Sequence, residues 1–459
     1  VAVLALAGVG GCAFDDKWKT PEGRGPSAEA KAATVDARAF APTPAPPPDA
    51  ELDLVDLLER VEDGSADLQQ VRARVLRSVA EVDLARSALL PRFSVGATVL
   101  GYAKAPGTGG FLQQDRELFD LTLELSLPLD LSGAIRERIR AAQARYRAER
   151  SLLSAGLREQ RFLAATAYFN FAQAVELRRV NEALVAAQER SLADARARFE
   201  AGVLRRNDVL TVEVTLAQTR QRGVEIETSI AEARRALNVA VGFPVDLAPT
   251  VVPWPDLIDV PSDPTVLLER ARRENPEVDA LVETREALLH ELEATDRSTL
   301  PDVSVGPRAT YTTESIAEPK ANLLGFLALS WNPDLNGEVR ARGDALGAQL
   351  LENAWATTSL LRRLEARILQ AHRRVDDRLA ALRTSEASAA SARENLRIFE
   401  EQFRAGVATA REVLEAQALL QENDATLRTA RHQVNLAAME AYYVAGSDPL
   451  AEAAARRRR

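Results

Sequence analysis

The sequence is poor in the residues that metal, redox or disulfide chemistry requires. In 459 residues there is one cysteine, Cys12, one methionine and three histidines. A lone cysteine excludes an intramolecular disulfide. His290, His372 and His432 are scattered through helical sequence without partners at ligand spacing, so neither a metal site nor a cofactor is expected. GxSxG, Walker A, HExxH and GxGxxG motifs are all missing, which leaves an enzyme reading without residues to carry it. A formal net charge of −9 gives no footprint for nucleic acid, and the Arg456–Arg459 run reads as a solvated tail. After the N-terminus no apolar run reaches the roughly 18 residues of a spanning helix. That absence leaves a β-barrel open, because its strands carry a far weaker signal. Aromatics are only 5%, whereas Ala, Leu, Arg and Glu are abundant, which favours long helices over several globular domains.

Cys12 follows VAVLALAGVGG, an apolar run ending in small residues as a signal peptide does. Val9-Gly10-Gly11-Cys12 resembles a bacterial lipobox, in which the cysteine is acylated and becomes the new N-terminus. The run starts at Val1 without a basic stretch, as a leader lacking its first residues would. The next residue is Ala13 and not the Asp of inner-membrane retention, so the outer membrane is the expected destination. Residues 13–50, with APTPAPPPD, form a Pro-rich linker.

From Leu52 to about Leu89 the pattern is helical, and Leu90-Pro91 breaks it. Phe93, Val95, Ala97 and Val99 then alternate with Ser94, Gly96 and Thr98, the period of a strand with one apolar face. After a turn-rich KAPGTGG, Leu121, Leu123, Leu125 and Leu127 alternate with polar residues, which completes a hairpin. After Gly133 the chain runs to Phe199 with no proline and one glycine, Gly156, with a stripe at spacings of three, four or their sums through Leu177, Val180, Leu184 and Leu192. Some 65 helical residues would measure roughly 100 Å. A break at Ala201-Gly202 leads to a second helix over about 208–241, then an irregular Pro-rich connector over 244–264.

The whole pattern then recurs. Leu300, Pro301, Ser304, Val305 and Gly306 repeat Leu90, Pro91, Ser94, Val95 and Gly96 at an offset of 210. Asp334, Leu335, Gly337 and Arg340 repeat Asp130, Leu131, Gly133 and Arg136 at 204, and Phe403-Arg-Ala-Gly-Val repeats Phe199-Glu-Ala-Gly-Val at 204. The chain reads as a leader remnant (1–12), a linker (13–50), a first repeat (51–265), a second repeat (266–446) and a basic tail (447–459). In the fourth strand Leu323, Gly325, Leu327, Leu329 and Trp331 make one face, while Leu324 and Phe326 blur the alternation. Four strands of about ten residues suit a tilted outer-membrane strand but are too few to close a barrel. Three copies would supply twelve.

Two hairpins, two Asp-x-x-Gly-x-x-Arg corners and two Phe-x-Ala-Gly-Val breaks, over about residues 52–446, resemble the TolC-type outer-membrane efflux proteins. The Cys12 leader is similar to that of their lipoprotein, NodT-like members. The resemblance implies a mainly α fold with a small β part. Three chains would form an α-barrel of long helices continuous with a twelve-stranded transmembrane β-barrel in the bacterial outer membrane, reaching into the periplasm. It implies a passive exit duct of a tripartite efflux or type I secretion system, opened by a periplasmic adaptor and powered by an inner-membrane pump. The alternative from another class is a lipid-anchored periplasmic coiled-coil scaffold without a pore.

Within that frame Asp130 and Gly133, with Asp334 and Gly337, are expected at strand-to-helix corners, where Asp130 or Ser132, and Asp334 or Asn336, can cap a new helix. Gly202, Val203, Leu204, Gly406, Val407 and Ala408 fall at what the family makes the adaptor-contact tips. Glu412 and Glu415, with Asp208 in the first repeat, are candidates for rings of carboxylates gating the lumen. Where some relatives carry a basic latch, this chain has Ala408.

Overall fold

The computed structural model describes residues 51–101, 117–252, 254, 257–313, 321–331 and 333–457; Cys12, the linker and the KAPGTGG turn lie outside them. In chain order the elements are β1 (Glu51–Leu52), α1 (Leu54–Gly64), α2 (Ala66–Ser87), β2 (Arg92–Gly101), β3 (Glu117–Pro128), α3 (Ala134–Glu200) and α4 (Arg206–Val241). There follow β4 (Thr250–Val251), α5 (Pro264–Glu274), α6 (Pro276–Arg297), β5 (Asp302–Thr312), β6 (Ala321–Ser330), α7 (Glu338–Arg404), α8 (Ala410–Val444) and α9 (Pro449–Arg457). The bounds of α1 and α2 return in α5 and α6 shifted by 210, and those of α3 return in α7 shifted by 204.

Two expectations need correction. The single helix over 52–89 is two helices, because Ser65 turns to an extended conformation after Gly64 and its hydroxyl accepts from the Leu68 N–H at 3.4 Å. The expected tail is helical over 449–457: Asp448 accepts from the Leu450 N–H at 2.9 Å, Pro449 opens the helix, and Ala453 is buried.

The chain divides into two compact units. Among the described residues, the first comprises those within 73–150 and 280–358. It holds an antiparallel sheet of order β2-β3-β5-β6, and the helix segments that enter and leave its strands. The α3 and α6 segments are joined by ion pairs, Arg147 Nε to Glu283 at 2.7 Å and Arg145 to Glu291. Glu137, nearly fully buried, meets Arg140 at 2.6 Å, His290 Nδ1 at 2.8 Å and Arg297 at 3.5 Å. On the other flank of α6, Asn353 Nδ2 donates to the Leu281 carbonyl at 3.2 Å, which seats α7.

The second unit comprises residues 51–72, 151–279 and 359–457 among those described. Its core gathers Leu54, Leu57, Leu58 and Val61 of α1 with Ala165, Tyr168 and Phe169 of α3, Leu237 and Val241 of α4, Leu267 of α5, Ile368 of α7 and Met439 of α8. Apolar burial on this scale is the dominant favourable term for the unit. The Tyr168 hydroxyl donates to the Val252 carbonyl at 2.6 Å, and Tyr442 to Asp259 at 2.8 Å, so two core phenols pin the connector. Burial pushes the Tyr168 hydroxyl well above its ordinary range. The helix α4 ends at Gly242, whose φ is +86°; a Cβ there would lie 2.1 Å from the Gly64 carbonyl oxygen.

Candidate functional site

The sheet has two chemically opposite faces. On one, the cross-strand rows run Val95–Leu123–Ala309–Leu323 and Ala97–Leu121–Tyr311–Ala321, with Val305 beside Leu327 and Val303 beside Leu329. Val95, Val99, Leu323, Leu327 and Leu329 are between 59% and 78% exposed, so this apolar face is uncovered. Aromatic residues stand at both of its ends, Phe93 and Trp331 at the helical end, Phe119 and Tyr311 at the other. An apolar band flanked by aromatic rings is how an outer-membrane strand meets lipid and its two interfaces. Trp331 also donates its indole N–H to the Thr299 carbonyl at 3.1 Å.

The other face carries Ser94, Thr98, Thr122, Glu124, Ser304, Arg308 and Thr310. Arg308 pairs with Glu124 at 2.7 Å and lies over the Phe326 ring at 4.9 Å. Phe326, which blurred the alternation, therefore serves as a platform for a guanidinium on the polar side. From the sequence Phe326 was only a break in the alternation of the fourth strand; the ladder and its guanidinium partner come from the structure.

At both corners the aspartate and the polar residue two positions on act together. Asp130 accepts from the Ile135 N–H at 2.9 Å and the Arg136 N–H at 3.2 Å, and Ser132 from Ala134 at 3.3 Å. Asp334 accepts from Val339 at 3.0 Å and Arg340 at 3.1 Å, and Asn336 from Glu338 at 3.3 Å. Gly133 and Gly337 have φ of +74° and +72°. The motif reads physically as a carboxylate reaching over a left-handed glycine to take the first free N–H groups of the helix. Replacing Asp130, 5% exposed, by alanine is expected to cost about 1–2 kcal/mol, read as a lower melting temperature by circular dichroism.

The N–H groups of Val339 and then Arg340 hold the Asp334 carboxyl below its ordinary range. Because the folded value is the depressed one, this stabilisation is complete above the unfolded value of roughly 4 and is lost as pH falls through the folded value. An Asp334→Asn variant should accordingly show a melting temperature less sensitive to acid than the parent. Equal sensitivity would remove the carboxylate from this role.

The two breaks share one geometry. At the end of α3 the Gly202 N–H donates to Phe199 at 2.9 Å and the Val203 N–H to Arg198 at 2.9 Å; at the end of α7 Gly406 donates to Phe403 at 3.1 Å and Val407 to Gln402 at 2.9 Å. Both glycines have φ of +76°, the left-handed helix stop that a side chain resists. Val203 and Val407 are 72% and 77% exposed, whereas Leu204 and Ala408 are half-buried, Leu204 against Val209 and Val212. Arg198 lies over the Phe403 ring at 4.2 Å, a contact between the two breaks that spacing could not disclose.

The three candidate gate acids have local duties. Asp208 accepts from the Arg205 N–H at 3.2 Å and Glu412 from the Thr409 N–H at 2.6 Å, each three residues into its helix. The Thr409 N–H holds the Glu412 carboxyl below its ordinary range. Glu415 pairs with Arg411 at 2.8 Å on an exposed face. Of the histidines, His290 meets Glu137, His372 Nε2 is 2.9 Å from the Pro261 carbonyl, and burial lowers His432. Among the described residues no group of three or more His, Cys, Asp or Glu is placed to hold a metal ion, and no helix is long and apolar enough to cross a membrane.

Residues 57–243 match the outer membrane efflux protein family. Solved structures with the same fold include the outer-membrane channel OprN, at 19% identity and a TM-score of 0.72 over 86% of this chain and 90% of that one. The outer membrane protein VceC of Vibrio cholerae matches at 18% identity and 0.70 over 86% and 96%, and the Campylobacter jejuni CmeC outer membrane channel at 15% and 0.71 over 86% and 85%. No curated protein matches by sequence. In sequence over residues 57–243, and in fold over 86% of its length, the chain is similar to the outer membrane efflux proteins, the TolC-type channels.

Proposed function

We propose that the protein is an outer-membrane exit duct of a tripartite efflux or type I secretion system, a passive homotrimer that a periplasmic adaptor opens and an inner-membrane pump powers. One observation carries the reading: a four-stranded sheet with one uncovered apolar face, one polar face, and, among the described residues, no strand on the outer edge of β2 or β6. Open edges do not survive in lipid. Further copies supply the missing partners, and the polar face with Glu124 and Arg308 then lines the pore. Acylation of Cys12 would add a lipid anchor on the periplasmic side. The exposed Val203 and Val407, beside Gly202, Leu204, Gly406 and Ala408, are our candidates for the adaptor-contact tips, and Asp130, Gly133, Asp334 and Gly337 for the corners below the membrane.

The test is conductance of the detergent-purified protein in planar bilayers together with its mass in detergent. Stable channels and a trimeric mass are expected. A monomer that stays folded in plain buffer, or leaves membranes once its lipid is cleaved, would instead make it an anchored coiled-coil scaffold. We place Asp208, Glu412 and Glu415 at the narrow end of the duct. Because Glu412 also caps α8, Glu415→Ala is the cleaner probe, and it should move the cation-to-anion permeability ratio toward unity. An unchanged ratio would take Glu415 out of the lumen.

A further inference from the structure

We propose that the helical seam between neighbouring copies is an apolar lock, in which Leu351 and Trp355 of one chain pack on the Ala73–Ala80 stripe of the next. The inference rests on the homotrimer reading and names the residues that would hold it together.

Chain connectivity decides which helices meet. α2 leads into the edge strand β2, and the edge strand β6 leads into α7. Pairing β6 of one copy with β2 of the next therefore brings α7 beside the neighbour's α2. Both helices have an exposed face opposite their buried contacts. In α7, Leu346 and Asn353 are buried, while Ala348, Leu351 and Trp355, about half a turn round, are exposed; Leu351 is 65% and Trp355 70% exposed. In α2, Ser78 and Val82 are buried, and Ala73, Ala80 and Leu84 are exposed on the opposite side. Measured from the strand ends, Trp355 and Ala73 both lie about 20–26 Å along their helices. A tryptophan and a leucine opposite small residues form knobs and holes.

The internal offsets sharpen the pairing. The contact of α3 with α6 within one chain is the counterpart of α7 with the neighbour's α2. Shifting α3 by 204 and α6 back by 210 turns Arg147–Glu283 into Leu351–Ala73, Arg145–Glu291 into Gln349–Glu81, and Glu137–His290 into Ala341–Ala80. The ionic seam inside the chain becomes an apolar one between chains. The exchange also runs the other way. Buried Ala148 and Ala287 hold the positions equivalent to Glu352 and Arg77, which are exposed here and of opposite charge. Two seams of the same geometry but inverted chemistry cannot substitute for one another, so each helix meets its intended neighbour.

The experiment is site-directed cross-linking of the full-length protein in outer-membrane vesicles with a short bismaleimide. The Ala73→Cys/Leu351→Cys variant should shift most chains to covalent dimers and trimers, while either single substitution gives no ladder. The Arg147→Cys/Glu283→Cys variant should link within one chain and give none. Trp355→Arg is expected to lower the fraction of heat-resistant trimer by about tenfold or more. A trimeric mass without the 73–351 link, or with Trp355→Arg as resistant as the parent, overturns the lock and leaves the trimer standing. A monomeric mass for the unsubstituted protein overturns the trimer, and the lock with it.

Discussion

Leu327→Arg is expected to keep the protein out of the membrane. Leu327 is 73% exposed, it stands opposite Val305 in the ladder, and it lies between the two aromatic ends of the apolar face. An arginine near the middle of a lipid-facing strand costs about 2–4 kcal/mol, with the smaller figure nearer an interface. In a homotrimer every copy brings the same charge, so each assembled sheet pays the cost three times. The measurement is the share of protein recovered folded in outer-membrane fractions and resistant to dissociation by detergent. The control is Thr122→Arg, on the opposite, polar face of β3, level with Gly96 and Thr310. It should insert as the parent does. If Leu327→Arg inserts normally too, lipid does not cover that face and the channel reading loses its support.

The second large effect is expected in the helical core of the second unit, at Gly242. This residue ends α4 with φ +86°, and its Cα lies so close to α1 that a Cβ would stand 2.1 Å from the Gly64 oxygen and 2.4 Å from its carbonyl carbon. Backbone atoms cannot rotate away as the end of a side chain can. Gly242→Ala thus combines a left-handed conformation, worth about 1–2 kcal/mol for a side-chain-bearing residue, with overpacking of about 1–3 kcal/mol. Together they should remove roughly 2–5 kcal/mol from the core built on Leu57, Leu58, Leu237 and Val241. Thermal unfolding and protease sensitivity of the 244–263 connector are the readouts. A melting curve coincident with the parent's would mean that α1 and α4 do not approach as closely as described.

Much of the architecture was legible because it is written in period and punctuation. Alternation over two residues marked the strands. The absence of proline marked the long helices, and Leu90-Pro91, Gly202 and Gly406 marked where they stop. The same letters could not tell one duty of a side chain from another. Glu412 stands three residues beyond Thr409, a spacing that serves equally a capping box and a ring in a lumen, and the structure shows the first. Whether Asp130 or Ser132 caps α3 was open because either can reach; both do, at different N–H groups. The split at Gly64-Ser65 was missed because the apolar stripe continues across it, although the Gly-Ser pair was a signal. The two-residue pairing of β1 with β4 is too short to carry any period. Long-range partners, such as Arg308 over Phe326 and Arg198 over Phe403, depend on which elements become neighbours, and no local pattern encodes that.

The matched extents of α3 and α7, 67 residues each, constrain how such a protein can change its reach. Each added heptad lengthens a helix by about 10 Å. An insertion in one alone would leave its reversal loop standing proud of the other and drag Arg198 away from Phe403. A change in the length of these helices must therefore come in paired steps, one in each half of the gene. An unmatched insertion should separate the two breaks while leaving the corners at Gly133 and Gly337, where both helices begin, untouched.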